Sequence, residues 1–285
     1  MTALVKAKGL SKHYGDQAAL DHVDFEINEG CIVGLIGPNG AGKTTALKAI
    51  LGLTDFDGEL EVLGMNPKRN RAAIMQEVCF IADVAVLPRW MRVNQAIEFV
   101  RRTHPRFNEE KCRAFLARSN VRENKKVGQL SKGMVVQLHL AIVMAIDARL
   151  LVLDEPTLGL DILYRKEFYS SLLADYFDDT RTILVTTHQV EEIEKILTHL
   201  MFIRQGKIIL DDSMDAVGEN YTEVLVAPDK ANAARELKPL HERDVFGKKL
   251  FLFEGVARTT LGELGELHTP SVADLFVAKM KGARS

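Results

Sequence analysis

The sequence predicts a three-layer α/β domain over residues 1–215 and a small α+β accessory domain over residues 216–285. Short apolar runs typical of strands alternate with helical patterns through the first part of the chain, and this alternation indicates helices packed on a mostly parallel sheet. The run Arg149–Leu153 is apolar after its first residue, as in a parallel strand covered on both faces. The pattern changes after about Asp215.

The individual elements follow from periodicity, turn residues and helix caps. Strands are predicted at Val23–Ile27, Cys31–Ile36, Leu60–Leu63, Val78–Ala82, Arg149–Leu153 and Thr182–Thr187. Helices are predicted at Thr45–Leu53, Asn94–Arg102, Glu109–Ser119, Met134–Ile146, Ile162–Phe177 and Val190–Leu197, with Asn108 as a cap. A hairpin joins Leu200–Ile203 to Lys207–Leu210, and the accessory domain has strands at Glu223–Val226 and Lys249–Phe253 and a helix at Ser271–Lys281.

Composition narrows the class of protein. Apolar residues make up 47% and charged residues 27% of the 285 residues, which is ordinary for a soluble globular protein. The net charge of −2 gives no electrostatic reason to expect a nucleic-acid partner. The three cysteines have no disulfide or zinc spacing. The longest charge-free apolar run, within Met134–Ile146, is shorter than the roughly 18–20 residues of a membrane helix, so any membrane span is expected from another chain.

A glycine-rich loop matches the phosphate-binding pattern G-x-x-x-x-G-K-[ST] in full. The residues GPNGAGKT, Gly37–Thr44, follow a predicted strand and precede a predicted helix, the context that supports the motif over a glycine turn without a ligand. Lys43 is expected to reach the β- and γ-phosphates of a nucleotide, and the Thr44 hydroxyl is expected to bind Mg²⁺. The residues expected to contact the nucleotide are Gly37, Pro38, Asn39, Gly40, Ala41, Gly42, Lys43, Thr44 and Thr45.

Acidic and histidine side chains follow two other predicted strands. Asp154 and Glu155 end the strand in RLLVLDEP, and His188 follows Thr182–Thr187. Parallel α/β sheets bind ligands at the carboxyl ends of their strands. We therefore expect Asp154 to hold Mg²⁺, Glu155 to activate the attacking water and His188 to contact the γ-phosphate. The alternatives are a loop cap for Asp154, a solvated Glu155 and a surface histidine at 188.

The order of these motifs resembles that of the ATP-binding cassette (ABC) ATPases, the nucleotide-binding subunits of membrane transporters. The glycine loop, LSKGM, strand-DE, GLD and strand-His occur in that order, and the resemblance covers about Val5–Ala216. It implies a P-loop NTPase cassette fold: a RecA-like α/β core with an antiparallel β subdomain and a helical insert at about residues 84–133. The accessory domain resembles that of type-2, exporter-like systems.

The resemblance also implies roles for four residues. Tyr14 in KHYG matches the aromatic residue that stacks on adenine, although an exposed tyrosine at a strand end is the plain alternative. Asp161 in LGLD matches the loop that crosses to the partner subunit, and it is also suited to cap the next helix. Ser131 and Gly133 in LSKGM match the signature segment, which meets the γ-phosphate bound to the opposite subunit.

Two departures from the family pattern stand out. The signature, usually LSGGQ, has Lys132 and Met134 in place of a glycine and a glutamine. The family also has a glutamine after the strand predicted at Val78–Ala82, where it touches Mg²⁺ and links the site to the transmembrane partner. Asp83 occupies that position, as a possible Mg²⁺ ligand or only as the start of a loop. Gln76 is a rival, but it precedes the strand.

The resemblance implies an ATPase subunit of a membrane transporter, with export favoured over import. Its cofactors are ATP and Mg²⁺, and its partners are a transmembrane permease and a second nucleotide-binding subunit, identical or different, at the cytoplasmic face of the membrane. Trp90 and the segment Leu87–Val93 are candidates for the permease contact. A cassette ATPase acting on ribosomes or DNA is the main alternative. A P-loop kinase would leave Ser131–Gly133 and His188 unexplained. The transported substrate is not indicated.

Overall fold

The computed structural model describes residues 2–81, 87–158 and 162–282, in which thirteen strands form three sheets. The strands are β1 (Ala3–Tyr14), β2 (Gln17–Asn28), β3 (Ile32–Ile36), β4 (Asp57–Val62), β5 (Val78–Ile81), β6 (Leu150–Asp154), β7 (Thr182–Thr187), β8 (His199–Arg204), β9 (Lys207–Ser213), β10 (Tyr221–Val226), β11 (His241–Val245), β12 (Lys248–Glu254) and β13 (Gly265–His268). The helices are α1 (Lys43–Ile50), α2 (Pro67–Ile74), α3 (Val93–Thr103), α4 (Glu109–Ala117), α5 (Lys132–Met144), α6 (Ile162–Ser171), α7 (Val190–Ile193), α8 (Met214–Asn220), α9 (Ala231–Glu236), α10 (Arg258–Gly262) and α11 (Val272–Gly282).

A six-stranded sheet lies at the centre of the molecule, in the order β5-β6-β7-β3-β8-β9. Its first five strands run parallel, and β9 pairs antiparallel to β8 as the predicted hairpin. Every residue of β3, β6 and β7 is buried, because both faces of the sheet are covered. The predicted α/β class is confirmed, and the carboxyl ends of β3, β6 and β7 meet at one edge.

An antiparallel sheet, in the order β2-β1-β4, packs with α1 over one face of the central sheet. The strands predicted on either side of Gly30 therefore belong to different sheets. Strand β1 was not predicted from the sequence. Its pairing register with β4 shifts between Lys8 and Ser11, and this shift breaks the two-residue alternation of buried and exposed side chains. Helices α3, α4 and α5 cover the other face, and Asn108 caps α4 as predicted by accepting from the Lys111 N–H at 2.9 Å.

The chain after β9 builds a four-stranded antiparallel sheet, in the order β11-β12-β10-β13, where only two strands were expected. The two predicted strands are the central ones. The edge strands β11 and β13 have no buried residue, so they lack the apolar pattern by which strands are recognised. Val224, Phe251 and Phe253 lie in a core of their own, whereas α11 packs back onto the main core. The division of the chain at residue 215 remains a prediction.

No helix in the part of the chain that the structure describes has the length and apolar character needed to cross a membrane.

Candidate active site

A cleft of about 570 Å³ opens where the loop after β3 meets the ends of β6 and β7. Three of the lining residues were not predicted: Gln17, Ala19 and Leu158. The predicted residues that line it are Tyr14, Asn39, Gly40, Ala41, Gly42, Lys43, Thr44, Thr45, Glu155 and His188. Motifs that are far apart in the sequence therefore meet at one cavity.

Lys43 lies at the base of this cleft with its side chain 6% exposed. Its Nζ donates to the carbonyl oxygens of Gly37 at 2.7 Å and Pro38 at 3.3 Å, and lies 3.4 Å from Glu155 Oε1. A buried ammonium group is costly unless it is paired in this way. Gly37 and Pro38 therefore contact the lysine through their carbonyl oxygens, and neither is among the described residues that line the cleft.

The amino end of α1 faces the same cleft without a side-chain cap. Its N-cap is Gly42, at φ 114°, and its first turn contains no acidic residue. A Cβ atom on Gly42 would lie 2.3 Å from the Ala19 carbonyl oxygen, so glycine is required here both for its backbone conformation and for space. The uncapped N–H groups and the helix dipole make this end an anion-binding position.

Asp154 and Thr44 place two hard oxygen ligands side by side. Thr44 Oγ1 donates to Asp154 Oδ2 at 3.0 Å, and Thr186 Oγ1 donates to Asp154 Oδ1 at 2.6 Å. Asp154 is buried at the end of β6, directly opposite Thr186 in β7. A hydroxyl and a carboxylate suit Mg²⁺, which keeps waters and takes substrate phosphates as its other ligands. Thr186 was not predicted, and only the parallel register of β6 and β7 reveals it.

Glu155 connects Lys43 to His188. Its Oε1 atom lies 3.4 Å from Lys43 Nζ, and its Oε2 atom lies 2.8 Å from His188 Nδ1. The backbone of Glu155 has φ 47°, an unfavourable conformation for this residue type. It is held there by the Glu155 N–H, which donates to the Thr186 carbonyl oxygen at 3.1 Å. The strained turn directs the carboxylate into the cleft between a cation and an imidazole.

Tyr14 lies at the open side of the cleft, with 51% of its surface exposed. The Lys12 ammonium lies 5.1 Å from the centre of its ring. A ring in this position can present a face to a planar ligand in the cleft.

Several other predicted site residues are not among the described residues that line the cleft. Ser131 caps α5 by accepting from the Met134 N–H at 3.2 Å, and neither Ser131 nor Gly133 is among the described residues that line the cleft. Asp83 and Asp161 lie outside the described residues. Gln76 lies in the turn before β5, at the amino end of a strand that runs parallel to β6. It is therefore at the opposite edge of the sheet from the cleft, which excludes it as the rival to Asp83.

Comparison with known proteins identifies the family. A family model described as ABC transporter matches residues 20–158. The daunorubicin resistance ATP-binding protein DrrA2 of Streptomyces coeruleorubidus is 34% identical over 244 residues, covering 82% of this chain and 75% of that protein. The Nod factor export ATP-binding protein I of Cupriavidus metallidurans is 33% identical over 309 residues, covering 99% and 98%.

A solved structure described as an ATP-binding subunit of an ABC transporter superposes with a TM-score of 0.67. It shares 24% sequence identity, and the match covers 76% of this chain and 92% of that one. This likeness supports the cassette fold. With a phosphate loop, an acidic strand end and a histidine around one cleft, and with relatives of this kind, the chain belongs to the ABC transporter family as one of its ATP-binding ATPases.

Proposed function

We propose that this chain is the ATPase subunit of an exporter, that it hydrolyses ATP with Mg²⁺, and that a second nucleotide-binding subunit completes its site. One observation carries the proposal: Glu155 contacts both Lys43 and His188 at the cleft that the phosphate loop lines. A cation for the phosphates, a carboxylate for the attacking water and an imidazole for the γ-phosphate are the parts that hydrolysis requires.

Each of these groups has a defined task in the proposed reaction. Lys43 and the N–H groups of α1 stabilise negative charge on the β- and γ-phosphates. Thr44 and Asp154 hold Mg²⁺, which supplies further charge neutralisation when it is bound. Glu155 accepts a proton from the attacking water or orients that water, a role that contributes on the order of 10²–10⁴-fold in rate. His188 donates to the γ-phosphate, and Tyr14 stacks on the adenine.

The second subunit is proposed from the position of the signature segment. Ser131 and Lys132 are exposed at the start of α5, and neither is among the described residues lining the cleft of their own chain. A helix start of this kind is suited to a phosphate held by another copy. Asp161 is proposed to cross between the subunits and Asp83 to ligate Mg²⁺. The partner subunit is either identical or different.

The permease contact is proposed for the helical insert. Trp90 is 69% exposed in the segment before α3, and tryptophan is enriched at protein–protein interfaces. The relatives are named for drug resistance and Nod factor export, which favours an exporter and a position at the cytoplasmic face of the membrane. The same names count against the alternative of an ATPase that acts on ribosomes or DNA.

The substitution Glu155→Gln tests the proposal. We expect the variant to bind ATP and to form dimers in gel filtration with Mg²⁺-ATP, while hydrolysis falls by about 10²-fold or more. Glu236→Gln, an exposed change in α9, is the matched control and should hydrolyse normally. Full turnover by Glu155→Gln would refute the role of Glu155 as base. A monomer in ATP would refute a homodimeric site.

A further inference from the structure

Arg165 in α6 links that helix to the segment that carries His188. Arg165 Nη1 donates to Gln189 Oε1 at 2.6 Å and to Glu192 Oε1 at 2.5 Å. Gln189 directly follows His188, and Glu192 lies in α7. The Arg165 and Glu192 side chains are each only 22% exposed, so solvent screens this ion pair less than a surface pair.

The position of His188 has to be fixed by contacts that other residues make. Its side chain is 37% exposed, and its Nδ1 atom contacts Glu155. Gln189, which leads into α7, has a non-helical backbone and no side-chain cap bond to that helix. Helix α7 spans only four residues, too few to be stable without tertiary contacts. A bridge from Arg165 to both Gln189 and Glu192 restrains the segment immediately after the histidine.

The same bridge reaches the segment that follows Glu155. Thr157 Oγ1 has a long contact of 3.5 Å with the second carboxylate oxygen of Glu192, and it lies 3.4 Å from the Tyr169 hydroxyl. Thr157 and Tyr169 are both buried, and burial raises the pKa of Tyr169, so its hydroxyl keeps its proton. Glu192 thus lies between Arg165 and the loop that begins at Glu155.

We propose that Arg165 is a positioning residue for ATP hydrolysis, which holds His188 at Glu155 through Gln189 and Glu192. Arg165 is not among the described residues that line the cleft, so its effect on the site is exerted through residues that it contacts, among them Gln189 and Glu192. Arginine suits the task because its planar guanidinium satisfies acceptors on two residues with little loss of side-chain freedom. The inference rests on the proposed role of His188.

The test compares the steady-state kinetics of Arg165→Gln with those of the unchanged protein. We expect kcat to fall by about 10-fold or more, because a small displacement of a catalytic group is costly, while the KM for ATP changes by less than about 2-fold. Arg181→Gln is the matched control: Arg181 is similarly buried and pairs with Asp147, and it is not among the described residues at the cleft. Its kcat should be unchanged. An unchanged kcat in folded Arg165→Gln would overturn the proposal.

A second comparison shows whether Arg165 acts through His188. In a His188→Ala background, Arg165→Gln should cause no further loss, because residues that act as a unit are not additive. Multiplicative losses would overturn the proposal. Glu192→Gln removes the same ion pair from the other side and should reproduce the kcat loss, which provides the test if Arg165→Gln does not fold. Full hydrolysis by His188→Ala would instead refute the proposed function of the histidine.

Discussion

Helices α1 and α5 both begin at a segment expected to meet phosphate, but their surroundings are opposite. Helix α1 begins with the buried Lys43 beside Gly42, has no side-chain cap, and faces the cleft of its own chain. Helix α5 begins after Ser131, whose hydroxyl already caps the helix, and Ser131 and Lys132 are exposed. One helix start is enclosed by partners from its own chain, and the other is presented outward.

The difference indicates how each helix start satisfies its free N–H groups. An enclosed start can leave its N–H groups uncapped because a bound phosphate is the natural acceptor. An outward start must remain stable in water when no partner is present, and a serine cap contributes about 1 kcal/mol to that. We infer that α1 supplies affinity for ATP and that α5 supplies a contact made only in the proposed dimer. The predictions below separate these two tasks.

The largest effect is expected from Lys43→Ala, which removes the cation at the base of the cleft. ATP affinity should fall by about 10²-fold, since a charge-assisted contact to phosphate is worth roughly 2–3 kcal/mol. Calorimetric titration with ATP measures this. Lys48→Ala changes an exposed lysine of the same helix and should bind ATP normally. Equal ATP affinity in Lys43→Ala and Lys48→Ala would contradict the inference that α1 supplies affinity for ATP.

The outward helix start is tested by two substitutions that both preserve the cap. Asp and Asn cap helices as well as Ser does, so Ser131→Asp and Ser131→Asn should melt within a few degrees of the unchanged protein. Only Ser131→Asp adds negative charge where a second subunit's phosphate is proposed to bind. We expect it to lower hydrolysis by about 10-fold or more relative to Ser131→Asn, because like charges repel, and to leave ATP binding by the single chain intact. Equal turnover by the two variants would contradict a phosphate contact at Ser131.

Much of this arrangement was predictable from local sequence. Strands β6 and β7 are short and contain the buried apolar runs Leu150–Leu153 and Ile183–Val185, and the phosphate loop is contiguous, so each could be predicted from a local pattern. Helix α5 was predicted two residues late at each end. Helix α2 was missed although Asn66-Pro67 marks its start as cap and first residue, a signal that was available.

Other features depend on contacts that no local pattern contains. Thr186 reaches Asp154 only because β6 and β7 are parallel neighbours in one register. Arg165 meets Glu192 because α6 and α7 pack together, across 27 positions of sequence. Gly133 was expected to contact a phosphate, and the structure places the ring of Tyr164 beside it. Such partners are set by tertiary packing, so they appear only in the folded chain.

Gly133 gives a test of smaller effect, because packing within the chain and phosphate contact are separate reasons for glycine there. A Cβ atom at this position would lie 2.2 Å from Tyr164 Cζ. We expect Gly133→Ala to lower the free energy of unfolding by about 1–3 kcal/mol through overpacking, and to lower it by less in a Tyr164→Ala background, where the ring is absent. Gly218→Ala is the control in urea denaturation, because its added carbon would have no described atom within 4 Å outside the neighbouring turns of its own helix. If Gly133→Ala costs no stability in the Tyr164→Ala background but still lowers hydrolysis there, the glycine is needed for the phosphate contact in addition to packing against the tyrosine.

The smallest effect concerns the interior of α5. His139 Nε2 is buried and has no hydrogen-bond partner among the residues that the structure describes, and burial lowers the pKa of His139 to about 4. The unfolded chain, with an ordinary value near 6.5, binds a proton more readily, so stability is present above about pH 6.5 and is lost as the pH falls toward 4. The free energy of unfolding should fall between pH 7 and pH 5, and in His139→Leu this fall should be smaller by about 1–2 kcal/mol. Urea denaturation at both pH values measures it. The exposed His13→Leu should leave that fall nearly unchanged. An identical pH dependence in His139→Leu and the unchanged protein would show that the acid sensitivity of the molecule arises outside α5.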